Sequence, residues 1–443
     1  MSFEIFHTPL VLWHRREGGC DITVELNHVT PVVCAVALLI VHLAGATPAT
    51  AALLAGAWVM IAISGIWAWQ MALHLHASRR LGARWVQVGD LMEERFRLRN
   101  DSDLPVLWAE VNDHSDVPGY AASVVRSVDS NNETAWTHEG TAARRGEFHL
   151  GPWSVETGDP LGIFIVRLNY AQAHPLLVYP PLTDLPFPPL PRGASPGSSR
   201  IRLAAPIPTT NAGQVRTYEL GDSFRHIHWP TTARHDELMV KMFDQEASAD
   251  IWLLMDTDPA VQSGEGDSAT EEVAVLVAAS LTADLLREGR AVGLITFAHE
   301  RRLVRPARST HHLWTILGEL ARLPNATHRQ RPALSLPHAL DQTARLLRSG
   351  SNLVIVTPSI DPLWVAGLAQ LTARQIVPSA ILIESGQTQG SPLQALLAEQ
   401  GVICRSVRCD VRLPVRPALG RTRKWEFKTL ATGRVIKTME SVR

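Results

Sequence analysis

At 443 residues the chain is too long for one ordinary hydrophobic core, and its length points to roughly two or three domains. Lys and Arg number 42 against 43 Asp and Glu, so the formal net charge is -1 and no global field argues for a nucleic acid or an acidic substrate. The four cysteines, Cys20, Cys34, Cys404 and Cys409, form no Cys-x-x-Cys pair, which excludes a zinc ribbon and a disulfide framework and suits a reducing compartment.

In chain order, residues 1–28 read as an N-terminal segment ahead of two apolar runs that fill 29–73. "VTPVVCAVALLIVHLAGAT" from Val29 and "AALLAGAWVMIAISGIWAWQMAL" from Ala51 contain no Asp, Glu, Lys or Arg. Each is about 20 residues, the length a helix needs to cross hydrocarbon, and a short "ATPAT" turn makes them a transmembrane hairpin with both flanks on one side. His42 reads as interfacial, and Trp67 and Trp69 suit a headgroup belt. The small residues of "LAGATPATA" resemble a signal-peptide cleavage site, but about 28 residues, acidic ones included, precede the run and a second span follows. Arg15, Arg16, Arg79, Arg80 and Arg84 lie in the flanks and the turn is uncharged, so the positive-inside rule predicts an inner-membrane protein with two spans and cytoplasmic soluble parts.

Residues 85–180 alternate in short runs broken by Asn, Asp, Gly and Pro, which predicts an antiparallel β-sandwich with Phe96, Leu98, Leu107, Val124 and Phe148 facing inward. The Pro/Gly/Ser-rich stretch 181–214 reads as a linker. A segment dense in ionisable groups covers 215–246. From 247 to 410 near-continuous apolar strands alternate with helices, which predicts an α/β domain with a mostly parallel sheet covered on both faces. Its functional loops belong at the carboxyl ends of the strands, here "DTDPA" and "TPSID". The basic tail 411–443 reads as a solvated segment around a weak hairpin, "KWEFKTLATGRVIKTM", or as a patch attracted to anionic lipid.

"RRGEFHLGPWSVETGDPLGIF", "LLVYP" and "VRTYELGDSFRHIHWPTTARHDELMVKMF" resemble a bacterial family catalogued as domain of unknown function 58. Its third pattern, Arg-x-Tyr-x-x-Gly-Asp-x-x-Arg-x-Ile-His-Trp-x-x-Ser/Thr-Ala-Arg, falls on Tyr218, Gly221, Asp222, Arg225, Ile227, His228, Trp229, Thr232, Ala233 and Arg234. The resemblance implies a von Willebrand factor A-like (Rossmann-type) C-terminal domain and a MoxR-type AAA+ ATPase as partner. A metal-adhesion site of that type needs Asp-x-Ser-x-Ser, whereas this chain has Asp256-Thr257-Asp258-Pro259-Ala260 and, later, Thr357-Pro358-Ser359. Asp256 and Asp258 are thus the candidate ligands of a degenerate Mg²⁺ site, and no cofactor is expected.

Within the signature, Gly221 suits a tight turn, Asp222 an N-cap for a short helix from Ser223 to Pro230, and Trp229 an apolar wedge. Asp222, Arg225 and His228 read as a structural or docking clasp. The alternative takes Asp222, His226 and His228 as the core of a metal-dependent hydrolase. His-x-His can share one metal from a strand, but on a helix the two side chains diverge by about 200°. No nucleophile elbow, P-loop or dinucleotide fingerprint occurs, and no catalytic residue is assigned. The expected function is a membrane-anchored, non-enzymatic adaptor or assembly factor acting between the ATPase and a client protein. Besides the hydrolase, a divalent-dependent ligand-binding protein is the other alternative.

Overall fold

In the computed structural model the described residues are 10–82, 84–184, 212–218, 224, 227–235, 237–243, 250–298, 300–324, 333–386, 391–411, 414–416, 423–429 and 435–441. Most of the expected linker, 185–211, lies outside them. The chain divides into two units, one built mainly from Met1–Pro181 and the other mainly from Leu182–Val415.

The first unit starts with strands β1 (Leu10–Glu17) and β2 (Cys20–Leu26), turned through Gly18 and Gly19 at positive φ. Helix α1 (Thr30–Ala44) follows, then α2 (Pro48–His74), whose N-terminus is closed by a Thr47/Thr50 capping box. Helix α2 runs directly into β3 (Leu75–Leu81). The two spans expected from the sequence do not emerge equally. Among the described residues α2 is the one helix long and apolar enough to cross a membrane, whereas α1 has 15 residues. At 1.5 Å per residue α1 is roughly 22 Å long, short of the ~30 Å hydrocarbon core, because Gly45 stops it three residues before Pro48 opens α2.

Nine more strands follow: β4 (Trp85–Gln87), β5 (Leu91–Asn100), β6 (Val106–Asp113), β7 (Val124–Val128), β8 (Asn132–Thr141), β9 (Gly146–Leu150), β10 (Trp153–Gly158), β11 (Phe164–Tyr170) and β12 (His174–Tyr179). They form sheets ordered β1-β2-β11-β10-β6-β7, β3-β5-β8 and β4-β12-β9. The segment before the helices, read from the sequence as a plain flank, therefore supplies two strands of the largest sheet. Its alternation buries Cys20, Ile22, Val24 and Leu26 in the same core as Phe96, Leu98, Val155, Val166 and Val178. Ala68, Met71 and Ala72 of α2 join that core, so the last turns of the helix are packed on protein. Phe96 and Leu98 face inward as expected and Val124 and Phe148 pack at the margin, but Leu107 is exposed. A register shift between Val106 and Ala109 reverses the alternation, so that Val106 points in and Leu107 out.

In the second unit β13 (Ala212–Thr217) pairs antiparallel with β14 (Met239–Phe243), and α3 (Trp229–His235) lies between them in sequence. A six-stranded sheet follows from β15 (Ile251–Met255), α4 (Thr270–Arg287), β16 (Val292–Phe297), β17 (Arg301–Ala307), α5 (Thr310–Ala321), α6 (Leu336–Leu346), β18 (Asn352–Thr357), α7 (Leu368–Ala373), β19 (Val377–Glu384), α8 (Ser391–Glu399) and β20 (Ile403–Arg408). Its order is β17-β16-β15-β18-β19-β20, with β17 antiparallel at one edge and all other pairs parallel. The strand order reverses between β15 and β18, and such a switch point opens a crevice at the carboxyl ends of the two strands. Leu254, Ile355, Trp364, Leu340 and Leu382 belong to one apolar cluster beneath it. In the basic tail, assigned with the first unit, β21 (Arg423–Thr429) pairs with β22 (Val435–Ser441), which is the hairpin read there.

Candidate functional site

The described parts of the signature segment are strand β13 and the short helix α3, which precedes the partner strand β14. The Tyr218 amide donates to the Leu238 carbonyl at 2.7 Å, and the Tyr218 ring lies 5.6 Å from that of Phe224. Ile227 is buried and bridges Val240 of β14. The His228 amide donates to the Met239 carbonyl at 2.7 Å, and its Nδ1 meets the Thr231 hydroxyl at 2.6 Å. Thr232 Oγ1 accepts from the Met239 amide at 3.0 Å. These bonds tie the start of α3 to β14 from both sides.

Two expectations are corrected here. Pro230 does not end a helix: it stands in the first turn of α3, which begins at Trp229, where a missing N–H costs nothing, and the expected start at Ser223 lies outside the described residues. Trp229 is not a wedge, since it is 64% exposed, and Ala233 and Arg234 are exposed on the same short helix. Gly221, Asp222, Arg225 and His226 lie outside the described residues, so neither the clasp nor the metal triad has a geometry to report. Among the described residues no group of three or more His, Cys, Asp or Glu is arranged to hold a metal.

Asp256 and Thr357 face each other across the switch point, at the ends of β15 and β18. Asp256 is buried; its Oδ2 accepts from Thr357 Oγ1 at 2.5 Å and its Oδ1 from the Asp258 amide at 3.1 Å. Burial pushes its carboxyl up to about 6, opposed by the Thr357 and Asp258 hydrogen bonds and assisted by the Asp258 charge. The loop is closed by Gln262 Nε2 donating to the Asp256 carbonyl at 3.0 Å, with Thr270 Oγ1 donating to Gln262 Oε1 at 2.8 Å. Asp258 Oδ1 accepts from the Ala260 amide at 3.0 Å. This arrangement does not fit the Mg²⁺ shell implied by the family resemblance. Both oxygens of the buried carboxylate are engaged by protein donors, and Ala260 carries no hydroxyl where the motif needs one. The Thr357 hydroxyl spends its proton on Asp256 and its lone pair on the Ser359 amide. A buried Thr257 hydroxyl without a partner in this loop supplies one oxygen, far from the six to eight a hard cation requires.

The first unit contains an ion network that the sequence reading missed. Arg79 of β3 is buried; it donates from Nε to Glu94 Oε2 at 2.8 Å, from Nη1 to Asp113 Oδ1 at 2.7 Å and from Nη2 to Ser115 Oγ at 3.2 Å. The Tyr120 hydroxyl donates to Glu94 Oε2 at 2.6 Å, and the guanidinium lies 5.3 Å from the Phe96 ring centroid. Burial opposes the Arg79 charge, but the Glu94 and Asp113 carboxylates outweigh it and hold its pKa above the usual value. Burial, then Glu94, pushes the Tyr120 phenol upward. The signal was present in "LMEERFRLRN", where Glu94 occupies the inward phase between Met92 and Phe96.

Residues 214–385 match a family model described as "Protein of unknown function DUF58", a span from β13 to the end of β19. "Uncharacterized protein YeaD" of Bacillus subtilis is 27% identical over 252 residues, covering 55% of this chain and 61% of that protein. "Uncharacterized protein Rv1480" of Mycobacterium tuberculosis is 28% identical over 175 residues, covering 39% and 54%. The chain thus spans between half and two thirds of the length of these relatives. An aerotolerance-related membrane protein from Bacteroides fragilis, solved with multiple mutations to serines, aligns over 43% of this chain and 81% of that chain. It is 14% identical with a TM-score of 0.25, a likeness too slight to argue from.

Proposed function

We propose that the chain is a membrane-tethered, non-enzymatic adaptor. Helices α1 and α2 form a two-span hairpin in the inner membrane, the soluble units stand on its cytoplasmic side, and the α/β unit offers the carboxyl edge of its sheet to a protein partner. One observation carries the tether: Ile40, Leu43, Leu53, Val59 and Ile63 are all exposed, a contiguous apolar surface far beyond the scattered residues a soluble surface carries. The shorter α1 is accommodated by local thinning of the bilayer and by its uncharged flanks, Asn27–Val29 and Gly45–Thr47.

An adaptor is favoured over an enzyme because the best-placed carboxylate, Asp256, is buried and fully hydrogen-bonded rather than presented to a substrate. On the loop after β18, Ile360 and Leu363 are exposed on either side of Asp361, which gives that edge apolar anchors with an acidic rim. The partner class, a MoxR-type AAA+ ATPase with a client protein beyond it, is taken from the family resemblance. Cross-linking in native membranes tests the reading. An AAA+ ATPase should be captured by the wild type and lost from Leu363→Asp; no ATPase, or capture indifferent to the substitution, overturns it.

A further inference from the structure

Strand β1 changes character along its length, from Leu10, Val11, Leu12 and Trp13 to His14, Arg15, Arg16 and Glu17. Leu10, Val11 and Leu12 are 58%, 52% and 51% exposed. Successive strand residues point to opposite faces, so three exposed apolar residues in a row leave both faces of this strand end uncovered. A register shift between Val11 and Trp13 adds to the irregularity at Leu12.

The pairing fixes the direction of this gradient. Leu10 pairs with Leu26, shortly before α1 opens at Thr30, while Glu17 pairs with Cys20 at the far end. The apolar end of β1 therefore lies where the chain enters its helices, and the charged end points away. Trp13 meets Trp69 of α2 there, with ring centroids 5.1 Å apart. Phe164 of β11 pairs with Leu26 at the same end. The turn before it, Asp159-Pro160-Leu161-Gly162-Ile163, is hooked onto the helix entry, with the Asn27 amide donating to the Ile163 carbonyl at 2.8 Å and Asn27 Nδ2 to the Gly162 carbonyl at 3.1 Å. Asp159 holds the turn by accepting from the amides of Leu161 and Phe164 at 2.9 and 2.6 Å. Leu161, at its tip, is 55% exposed.

We propose that Leu10–Trp13, Leu161 and Trp69 form a rim that rests in the headgroup layer of the membrane holding α1 and α2. The inference deepens the tether and rests on it. The occupant is a lipid surface because the rim is continuous with the exposed apolar helices and the cations of β1 lie on the side away from them, the usual order across an interface. Depth is bounded from both directions. Apolar side chains draw the strand toward lipid, but β1 is an edge strand, and its open row of backbone groups finds no partners in hydrocarbon and does find them in the hydrated headgroup layer. The helix length agrees. From Thr47 to Trp69, α2 rises roughly 33 Å at 1.5 Å per residue, so a tip at one boundary of the ~30 Å core sets Trp69 at the other.

The test uses the full chain in vesicles of phosphatidylethanolamine and phosphatidylglycerol that contain a photoactivatable lipid. Its diazirine is carried either at the glycerol level or at the end of an acyl chain, and adducts are mapped by mass spectrometry. Leu10–Trp13 and Leu161 should label several-fold more with the shallow probe than with the deep one, while the turns of α2 around Trp58, midway between Thr47 and Trp69, label with the deep probe. Leu12→Glu with Leu161→Glu, both at exposed positions, should lower shallow labelling of Trp69 several-fold. Labelled helices with an unlabelled rim overturn the rim and leave the tether standing. Helices and rim both unlabelled overturn the two together, and a rim labelled equally by both probes overturns the depth.

Discussion

Asp256 meets the crevice with both carboxylate oxygens already taken, and that fixes how pH acts on it. Its pKa is raised from an ordinary 3.8 to about 6, chiefly by burial. Well below pH 3.8 the group is protonated folded and unfolded, so it costs nothing; between 3.8 and about 6 it ionises in the unfolded state first, and above 6 it is ionised in both and the folded one bears the desolvation. The resulting penalty is on the order of 3 kcal/mol. Asp256→Asn removes the titration and leaves a pH-independent offset from one lost acceptor. Urea unfolding of both proteins between pH 4 and 7 should therefore show the variant gaining stability relative to wild type as pH rises, and a constant difference would refute the assignment. Arg79 is the opposite case, a buried cation between two buried carboxylates. Arg79→Met leaves Glu94 and Asp113 uncompensated and should cost about 3–5 kcal/mol. Adding Glu94→Gln and Asp113→Asn should recover a large part of that loss in the same assay. Equal midpoints for the single and triple variants would mean that packing against Phe96, not charge, holds the site.

At the scale of elements, α2 has two environments. Its exposed stretch is the proposed span, whereas Ala68, Met71 and Ala72 are buried against the first unit. Ala68→Leu should overfill that contact and destabilise the unit by about 1–3 kcal/mol. Leu53→Ala, at an exposed position, should leave the unfolding midpoint of the detergent-solubilised chain unchanged; equal effects would deny the division. The elements also show how far the sequence was legible. The near-continuous apolar strands of 247–410, "SNLVIVTPS" among them, are legible as members of a mostly parallel sheet, because burial on both faces leaves a local pattern. Strand β2 has an equally clean alternation, but its partner β11 is more than 130 residues away, and periodicity does not name partners. Leu107 departs from the alternation that Ala109 and Val111 keep, because the bulge between Val106 and Ala109 turns Val106 inward and Leu107 out. The end of α1 was misread because hydropathy counts apolar residues without weighing Gly45 as a stop. For the site, the Asp256 loop was found from the carboxyl ends of strands, while Trp229 was misjudged because an aromatic in a polar segment does not reveal which side it faces.

Across the whole molecule, sidedness is the property on which the adaptor reading depends. Arg79, one of the flanking arginines, is buried with Glu94 and Asp113. Arg15 pairs with Glu17 at 3.0 Å and Arg16 with Asp21 at 3.4 Å, so in the folded chain neither is a free counter-charge for lipid. The positive-inside rule nevertheless acts on the chain as it inserts, before these pairs exist, and the contrast with an uncharged Gly45–Thr47 turn survives. Both flanks are therefore expected in the cytoplasm. A reporter enzyme that matures only in the periplasm should be inactive when fused after Arg443 and active when inserted at Gly45, while a cytoplasm-dependent fluorescent reporter should show the reverse. A hairpin that enters one leaflet and returns without crossing predicts both sites reading as cytoplasmic. A C-terminal fusion active only in the periplasm overturns the orientation, and with it the AAA+ partner, because an ATPase fed by cytoplasmic ATP cannot meet an α/β unit on the other side of the membrane.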